Sequence, residues 1–237
     1  MTTSSQSTAA SASLAPQAGR GVFVTLEGID GCGKTTQAHR LVSSLEAAGA
    51  DVLALREPGG TAISERVRAL LLDSSNGEMC DECELLLYEA ARAQLVRQVI
   101  GPALAAGRVV VCDRFYDSTT AYQAHARGLD ADMVATANVL GSCGLVPNRT
   151  VVLDLDPRTS FARATSASTD RLEGEGLAFQ ERVRAGFVDV AASDPRRVVT
   201  VDATGDADVV FARLVHVLED VLPQLAGRPA DQEVSHA

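Results

Sequence analysis

Residues 22–36 read Val-Phe-Val-Thr-Leu-Glu-Gly-Ile-Asp-Gly-Cys-Gly-Lys-Thr-Thr. An apolar, β-branched run meets a glycine-rich turn. A helical pattern follows, with Ala38, Leu41, Val42 and Leu45 on one face and Gly49 closing it. Gly28 to Thr35 satisfies G-x-x-x-x-G-K-[ST], and it does so between a strand and a helix, the context in which that spacing has a mechanism. The loop's backbone N–H groups turn inward onto phosphate oxygens, and the helix adds its positive end. Lys34 is expected to reach the β- and γ-phosphates of a nucleoside triphosphate, and the Thr35 hydroxyl to ligate Mg²⁺.

Outward from this stretch, four more short β-branched runs appear: Val52–Leu55, Val109–Cys112, Val151–Leu155 and Val198–Val201. Each is continuous rather than alternating, which predicts parallel strands buried on both faces. Helical stripes separate them. Ile63, Val67, Leu70 and Leu71 form one. Leu85 to Leu104 forms a longer one, expected to bend near Gly101-Pro102. Val210, Leu214, Val217, Leu218 and Val221 form the last, stopped by Pro223. The alternation predicts an α/β chain with a doubly wound, five-stranded parallel sheet.

Ligands of such sheets sit beyond the carboxyl ends of the strands. The runs are followed there by Glu27-Gly28, by Arg56-Glu57-Pro58-Gly59-Gly60-Thr61, by Asp113-Arg114-Phe115, by Asp154 and Asp156, and by Asp202-Ala203-Thr204-Gly205. Arg56 at a strand end has the geometry to fork onto a phosphate. Asp113 suits Mg²⁺, and Arg114 a second phosphate. Taken singly, each charged pair could equally be a surface or structural ion pair.

The 237 residues carry 31 acids against 20 arginines and one lysine, a net charge of −10. That balance argues against nucleic acid or an anionic membrane surface as partner. No run of 18 apolar residues exists to span a bilayer. The lone lysine excludes an Asn-Lys-x-Asp guanine reader and a protein kinase with its separate strand lysine. Five cysteines at irregular spacing are not a disulfide framework. Cys80-Asp-Glu-Cys83 lacks the second ligand pair of a zinc site, and reduced thiols in a cytosolic protein are the plainer reading. Cys32, at a helix N-terminus, is either an oxidation-sensitive thiol or a small tolerated side chain. Residues 1–19 and 223–237 read as flexible tails around a domain at 20–222. The first segment lacks the charged and apolar regions of a signal peptide.

Glu27–Thr36, Arg56–Thr61, Tyr88-Glu-Ala-Ala-Arg92, Asp113–Phe115, Ser118-Thr-Thr-Ala-Tyr-Gln123, Val152–Asp154 and Asp170-Arg-Leu-Glu173 together resemble, in order, the thymidylate kinases of the nucleoside monophosphate kinase group. The resemblance implies a P-loop NTPase fold with a short lid near 163–175, and transfer of a phosphoryl group from Mg-ATP to dTMP. It implies that Gly28, Ile29, Asp30, Gly31, Cys32, Gly33, Lys34, Thr35 and Thr36 hold ATP, and that Thr35 and Asp113 hold Mg²⁺. It implies that Arg56 and Arg114 hold the dTMP phosphate, with Asp30 on the 3′-hydroxyl and Tyr122 crowding the 2′ position. Tyr88 would stack on thymine, Thr119 and Gln123 would address its edge, and Arg92 would sit at the base and its neighbouring phosphate. Lys34, Asp113, Arg114 and a lid arginine form the implied catalytic set. The loop has Cys32 where some relatives have arginine, so the resemblance is to bacterial members with lid arginines: Arg171, supported by Arg163. A cytoplasmic homodimer is implied too. Another deoxynucleotide kinase, or a non-catalytic nucleotide-dependent regulator, remains open at this point.

Overall fold

A computed structural model describes residues 21–164, 171, 172 and 175–225, without the side chains of 161–164. The expected N-terminal tail, the Arg163 side chain, most of the expected lid and the last twelve residues lie outside what is described.

Among the described residues the order is β1 (Phe23–Glu27), α1 (Lys34–Ala47), β2 (Val52–Arg56), α2 (Ala62–Leu72), α3 (Asp81–Leu95), α4 (Gly101–Ala105), β3 (Val109–Asp113), α5 (Tyr116–Thr119), α6 (Ala131–Gly141), β4 (Arg149–Asp154), α7 (Pro157–Ala164), α8 (Leu177–Ser193), β5 (Val198–Asp202) and α9 (Ala207–His216). The strands form one parallel sheet in the order β2-β3-β1-β4-β5. The chain leaves β1 to one side for β2 and β3 and returns to the other side for β4. This makes β1 the switch point, where a crevice opens at the strand ends.

Continuous apolar runs predict burial on both faces, and β1, β3 and β4 meet that. The outer strands do not. In β2, Ala54 is exposed and its neighbours are half-buried, and in β5 only Val198 and Val201 are buried. An edge strand has a neighbour on one side only, so less of its surface is covered. Side chains alternate between two cores. Val24, Leu26 and Val111 face α1, α8 and α9, where Leu41, Val183, Phe187 and Leu214 pack. Phe23, Val110 and Cys112 face Leu95, Ile100 and Phe115.

The long apolar stretch departs from α-helix just before the expected bend. Val96–Ile100 is π-helical, and α4 begins at Gly101 with Pro102 in its first turn. The last stripe ends earlier than the proline predicts: α9 stops at His216, and turns carry the buried Leu218 and Leu222 onward. Packing continues three residues past the expected boundary at 222, since Leu225 is buried in the first core. Helix α8 is absent from the sequence reading, although Phe179, Val183, Phe187 and Val190 recur at helical spacing and are its buried face.

One carboxyl ties the strand ends together. Glu27, the last residue of β1, is fully buried. It accepts hydrogen bonds from the Phe115 N–H (2.6 Å) and the Ser118 hydroxyl, both just past β3. Burial, reinforced by Asp117, pushes its pKa from 4.5 up to about 8 against the pull of Arg114.

Phe187→Ala, emptying a site 1 % exposed, should destabilise the fold by about 3–5 kcal/mol, read as a lower urea midpoint. Between pH 4.5 and about 8 the folded chain keeps a proton at Glu27 that the unfolded chain has lost. Stability therefore falls as pH rises through that window and levels off above it. Glu27→Gln, fixed in the neutral form, should flatten this slope. Identical slopes for both proteins, from urea midpoints at about pH 5 to about pH 9, would contradict it.

Candidate active site

The loop between β1 and α1 passes so close to β4 that a Cβ on Gly28 would lie 2.6 Å from the Leu153 carbonyl oxygen, and its φ is +136°. Only glycine fits there. At the helix start, Gly33 is the N-cap in a left-handed conformation. It supplies no side-chain cap, and the first turn carries no acid. The first N–H groups of α1 are thus left to an anion. Lys34 is buried, and its ammonium donates to the Gly28 and Ile29 carbonyls at 2.9 Å each. Thr35 donates its hydroxyl to Asp113 Oδ2 at 2.7 Å, joining this loop to the end of β3. Two hard oxygen donors side by side suit Mg²⁺. Cys32 lies under the loop, 2 % exposed. Burial pushes its thiol pKa up against the pull of Lys34 and Arg114, which favours the small tolerated side chain over the oxidation-sensitive thiol.

Beside the loop opens a cleft of about 420 Å³. Asp30, Gly31, Gly33, Lys34, Thr35 and Thr36 line one end, while Gly28, Ile29 and Cys32 shape the loop from behind. Asp113 and Arg114 line the middle. Arg114 has φ +74°, a conformation costly for a residue with a Cβ, and its N–H donates to the Leu26 carbonyl at 2.9 Å. That turn throws the guanidinium back over the loop. It donates to the Gly28 carbonyl and the Ser118 hydroxyl (3.1 Å each), to Asp30 and to the Tyr122 oxygen (3.2 Å). Tyr122 in turn donates to Asp30 at 3.0 Å. Burial pushes the Asp30 carboxyl up, but Arg114, Lys34 and the Tyr122 and Gln180 hydrogen bonds outweigh it and hold it below its usual range.

The far end is built from β2, α2 and α3. The Glu57–Pro58 peptide is cis. Arg56 is half-exposed and pairs with Glu65 at 3.1 Å rather than with its neighbour Glu57. Glu65 also accepts from the Gly60 N–H at 2.8 Å, and a Cβ on Gly59 would meet it at 2.7 Å. Arg92 is 2 % exposed, and each of its three side-chain nitrogens donates to a protein acceptor: to Glu57 (2.8 Å), to Glu89 and to the Thr119 hydroxyl (2.9 Å). Burial pushes Glu57 up to about 7 in spite of Arg92. Tyr88, Thr119, Tyr122 and Gln123 complete the walls.

Three of the five strand ends supply this site. Asp154 is instead paired with Arg184 (2.6 and 2.8 Å), and Asp202 caps its own turn through Thr204, so the expected convergence of all five ends is too broad. Arg171 is not brought to the phosphate loop. Its guanidinium is bound to Glu84, and its Nε donates to the Leu71 carbonyl at 3.0 Å. Cys80 and Cys83 are exposed at the start of α3, away from the cleft lining. Sequence reasoning overlooked Arg68, which lines the cleft and donates to the Pro58 carbonyl at 3.0 Å, and also Glu84. Glu84 stands four residues before Tyr88 and eight before Arg92 on one helical face, a signal that was available.

A family model described as thymidylate kinase matches residues 26–214. A thymidylate kinase of Desulfosudis oleivorans is 47 % identical over 208 residues, covering 84 % of this chain and 97 % of its own. One from Geobacter sulfurreducens is 44 % identical over 211 residues, covering 86 % and 99 %. The crystal structure of thymidylate kinase from Ehrlichia chaffeensis superposes with a TM-score of 0.70 at 33 % identity, covering 84 % of this chain and 98 % of the other. A phosphate loop facing a second set of cations, on a fold and sequence shared along nearly the full length of these relatives, leads to one conclusion: the chain belongs to the thymidylate kinase family.

Proposed function

We propose that the protein transfers the γ-phosphoryl group of ATP to dTMP, forming dTDP and ADP, with Mg²⁺ as cofactor. The reading is carried by one observation. Lys34 and the uncapped start of α1 open into the same cleft as Arg114 and Arg56, and the Thr35–Asp113 pair lines it with them.

The attacking group is already a phosphate oxygen, so no strong base is needed. Alignment and charge neutralisation supply the rate. Lys34 exchanges its loop carbonyls for β- and γ-phosphate oxygens. Gly31 to Thr36 donate backbone N–H groups. Thr35 and Asp113 hold Mg²⁺, which when bound neutralises charge on the transferring phosphates. Arg56 and Arg114 hold the acceptor phosphate. Asp30, kept ionised by Arg114, accepts from the deoxyribose 3′-hydroxyl, and the Tyr122 ring beside it crowds a 2′-hydroxyl. Tyr88 stacks on the base, and Thr119 and Gln123 meet its edge. Arg92, aimed by Glu57, Glu89 and Thr119, sits in the wall beside that edge. Arg171, held on Glu84, reaches a migrating phosphoryl only if that pair opens. A homodimer is supported by the family resemblance and by Leu86, Val139 and Leu140, left exposed on α3 and α6. The cytoplasm, where ATP is available and free cysteines stay reduced, is the compartment that suits this reading.

Lys34→Ala should cut turnover about 10³-fold or more while leaving the far-UV circular dichroism unchanged. A coupled assay of ADP release with dTMP, dUMP, dCMP and dGMP checks donor and acceptor together. Retained turnover in the variant would overturn the role of Lys34. Nucleotide binding without ADP release on any monophosphate would favour a regulator instead.

A further inference from the structure

One buried carboxylate gathers side chains from distant parts of the chain. Glu84, on the first turn of α3, is 0 % exposed. Its Oε1 accepts from Gln123 Nε2 at 2.7 Å and from Arg127 Nε at 3.3 Å. Its Oε2 accepts from an Arg127 terminal nitrogen at 3.1 Å and from Arg171. Burial pushes the Glu84 carboxyl up, but the hydrogen bonds from Arg127, Gln123 and Arg171 and the charge of Arg127 hold it below its usual range. At neutral pH it is an anion, with acceptors only. Against such a partner the Gln123 amide has one orientation: nitrogen toward Glu84, carbonyl oxygen turned away. Gln123 is itself buried and lines the cleft with Thr119 and Tyr88.

We infer that Glu84 is a positioning residue for base selection, locking the Gln123 amide so that its carbonyl oxygen, rather than its NH₂, meets the base. The inference rests on the proposed acceptor, a pyrimidine nucleotide. A fixed carbonyl favours a ring whose N3 carries a hydrogen, as in thymine or uracil. Cytosine presents a lone pair at N3, so oxygen and nitrogen acceptors would face each other without a proton between them. The same carboxylate anchors Arg171, whose N–H and Nε bind the Leu72 and Leu71 carbonyls at the end of α2. The orientation of the Gln123 amide and the placement of Arg171 therefore share one anchor.

The test is steady-state kinetics with dTMP and dCMP on the full chain, wild type against Glu84→Gln, with a thermal melt to establish folding. An amide at position 84 both donates and accepts, so Gln123 is free to turn over. The KM for dTMP should rise about tenfold while kcat stays within about threefold, and the dTMP:dCMP ratio of kcat/KM should fall about tenfold. A merely structural role would weaken both substrates alike. The exchanged pair Glu84→Gln/Gln123→Glu restores polarity. The amide at 84 donates to the carboxylate at 123, whose second oxygen meets the base, and the wild-type preference should return. This pair keeps one carboxylate within the hydrogen-bonded 84–123 pair, so it carries the test if the single variant does not fold. There, a ratio that favours dCMP would overturn the inference. A wild-type protein inactive on dTMP overturns the functional reading and the inference with it. A wild type that prefers dTMP, alongside a folded Glu84→Gln protein with an unchanged ratio, overturns the inference alone.

Discussion

The Glu27 carboxyl, sealed between the ends of β1 and β3, is the contact on which the site's geometry depends. It holds the Phe115 N–H and the Ser118 hydroxyl, and so fixes where the chain turns after β3. That turn contains Arg114 in a left-handed conformation, a strain of about 1–2 kcal/mol that the Leu26 hydrogen bond and the buried guanidinium contacts offset. The same strand end carries Asp113 to Thr35. Were the two strand ends to part, the Arg114 fork and the Thr35–Asp113 pair would be lost together.

A chain of net charge −10 that binds two polyanions is explained by where its charges are held. Its cations are paired in advance: Arg56 with Glu65, Arg114 with Asp30, Arg92 with Glu57 and Glu89, Lys34 with loop carbonyls. Acids aim the arginines rather than cancel them, and side chains already in place need little reorganisation when phosphate arrives. Arg92 is the extreme case. Each of its three side-chain nitrogens already donates to a protein acceptor, and it keeps its place in the wall of the cleft.

The sheet and its ligand edge were legible because both are local signals: β-branched runs, a glycine turn, and charged residues directly after each run. Lys34, Thr35, Arg56, Asp113 and Arg114 fall on one cleft for that reason. Depth was not legible. Nothing near Glu84 in the sequence announces that Gln123, Arg127 and Arg171 close over it, since those partners lie far along the chain. The resemblance implies Arg171 as a lid cation for phosphate, and its carboxylate partner lies too far along the chain for any local pattern to announce it. The exposure of β2 and β5 depends on strand order, which no single run encodes.

The uncapped start of α1 makes the protein's stability a function of its supply of nucleotide. Most helices answer their first N–H groups with a serine, threonine or aspartate, but here Gly33 leaves them to whatever anion enters. A phosphate bound there would act as the missing cap residue, contributed from solution. By linkage, a ligand that binds the folded chain alone raises its stability by about 2.7 kcal/mol at a hundred times its Kd. The melting temperature of this chain is thus coupled to the nucleotide pool around it, and a cell depleted of nucleotide would hold the same polypeptide closer to unfolding.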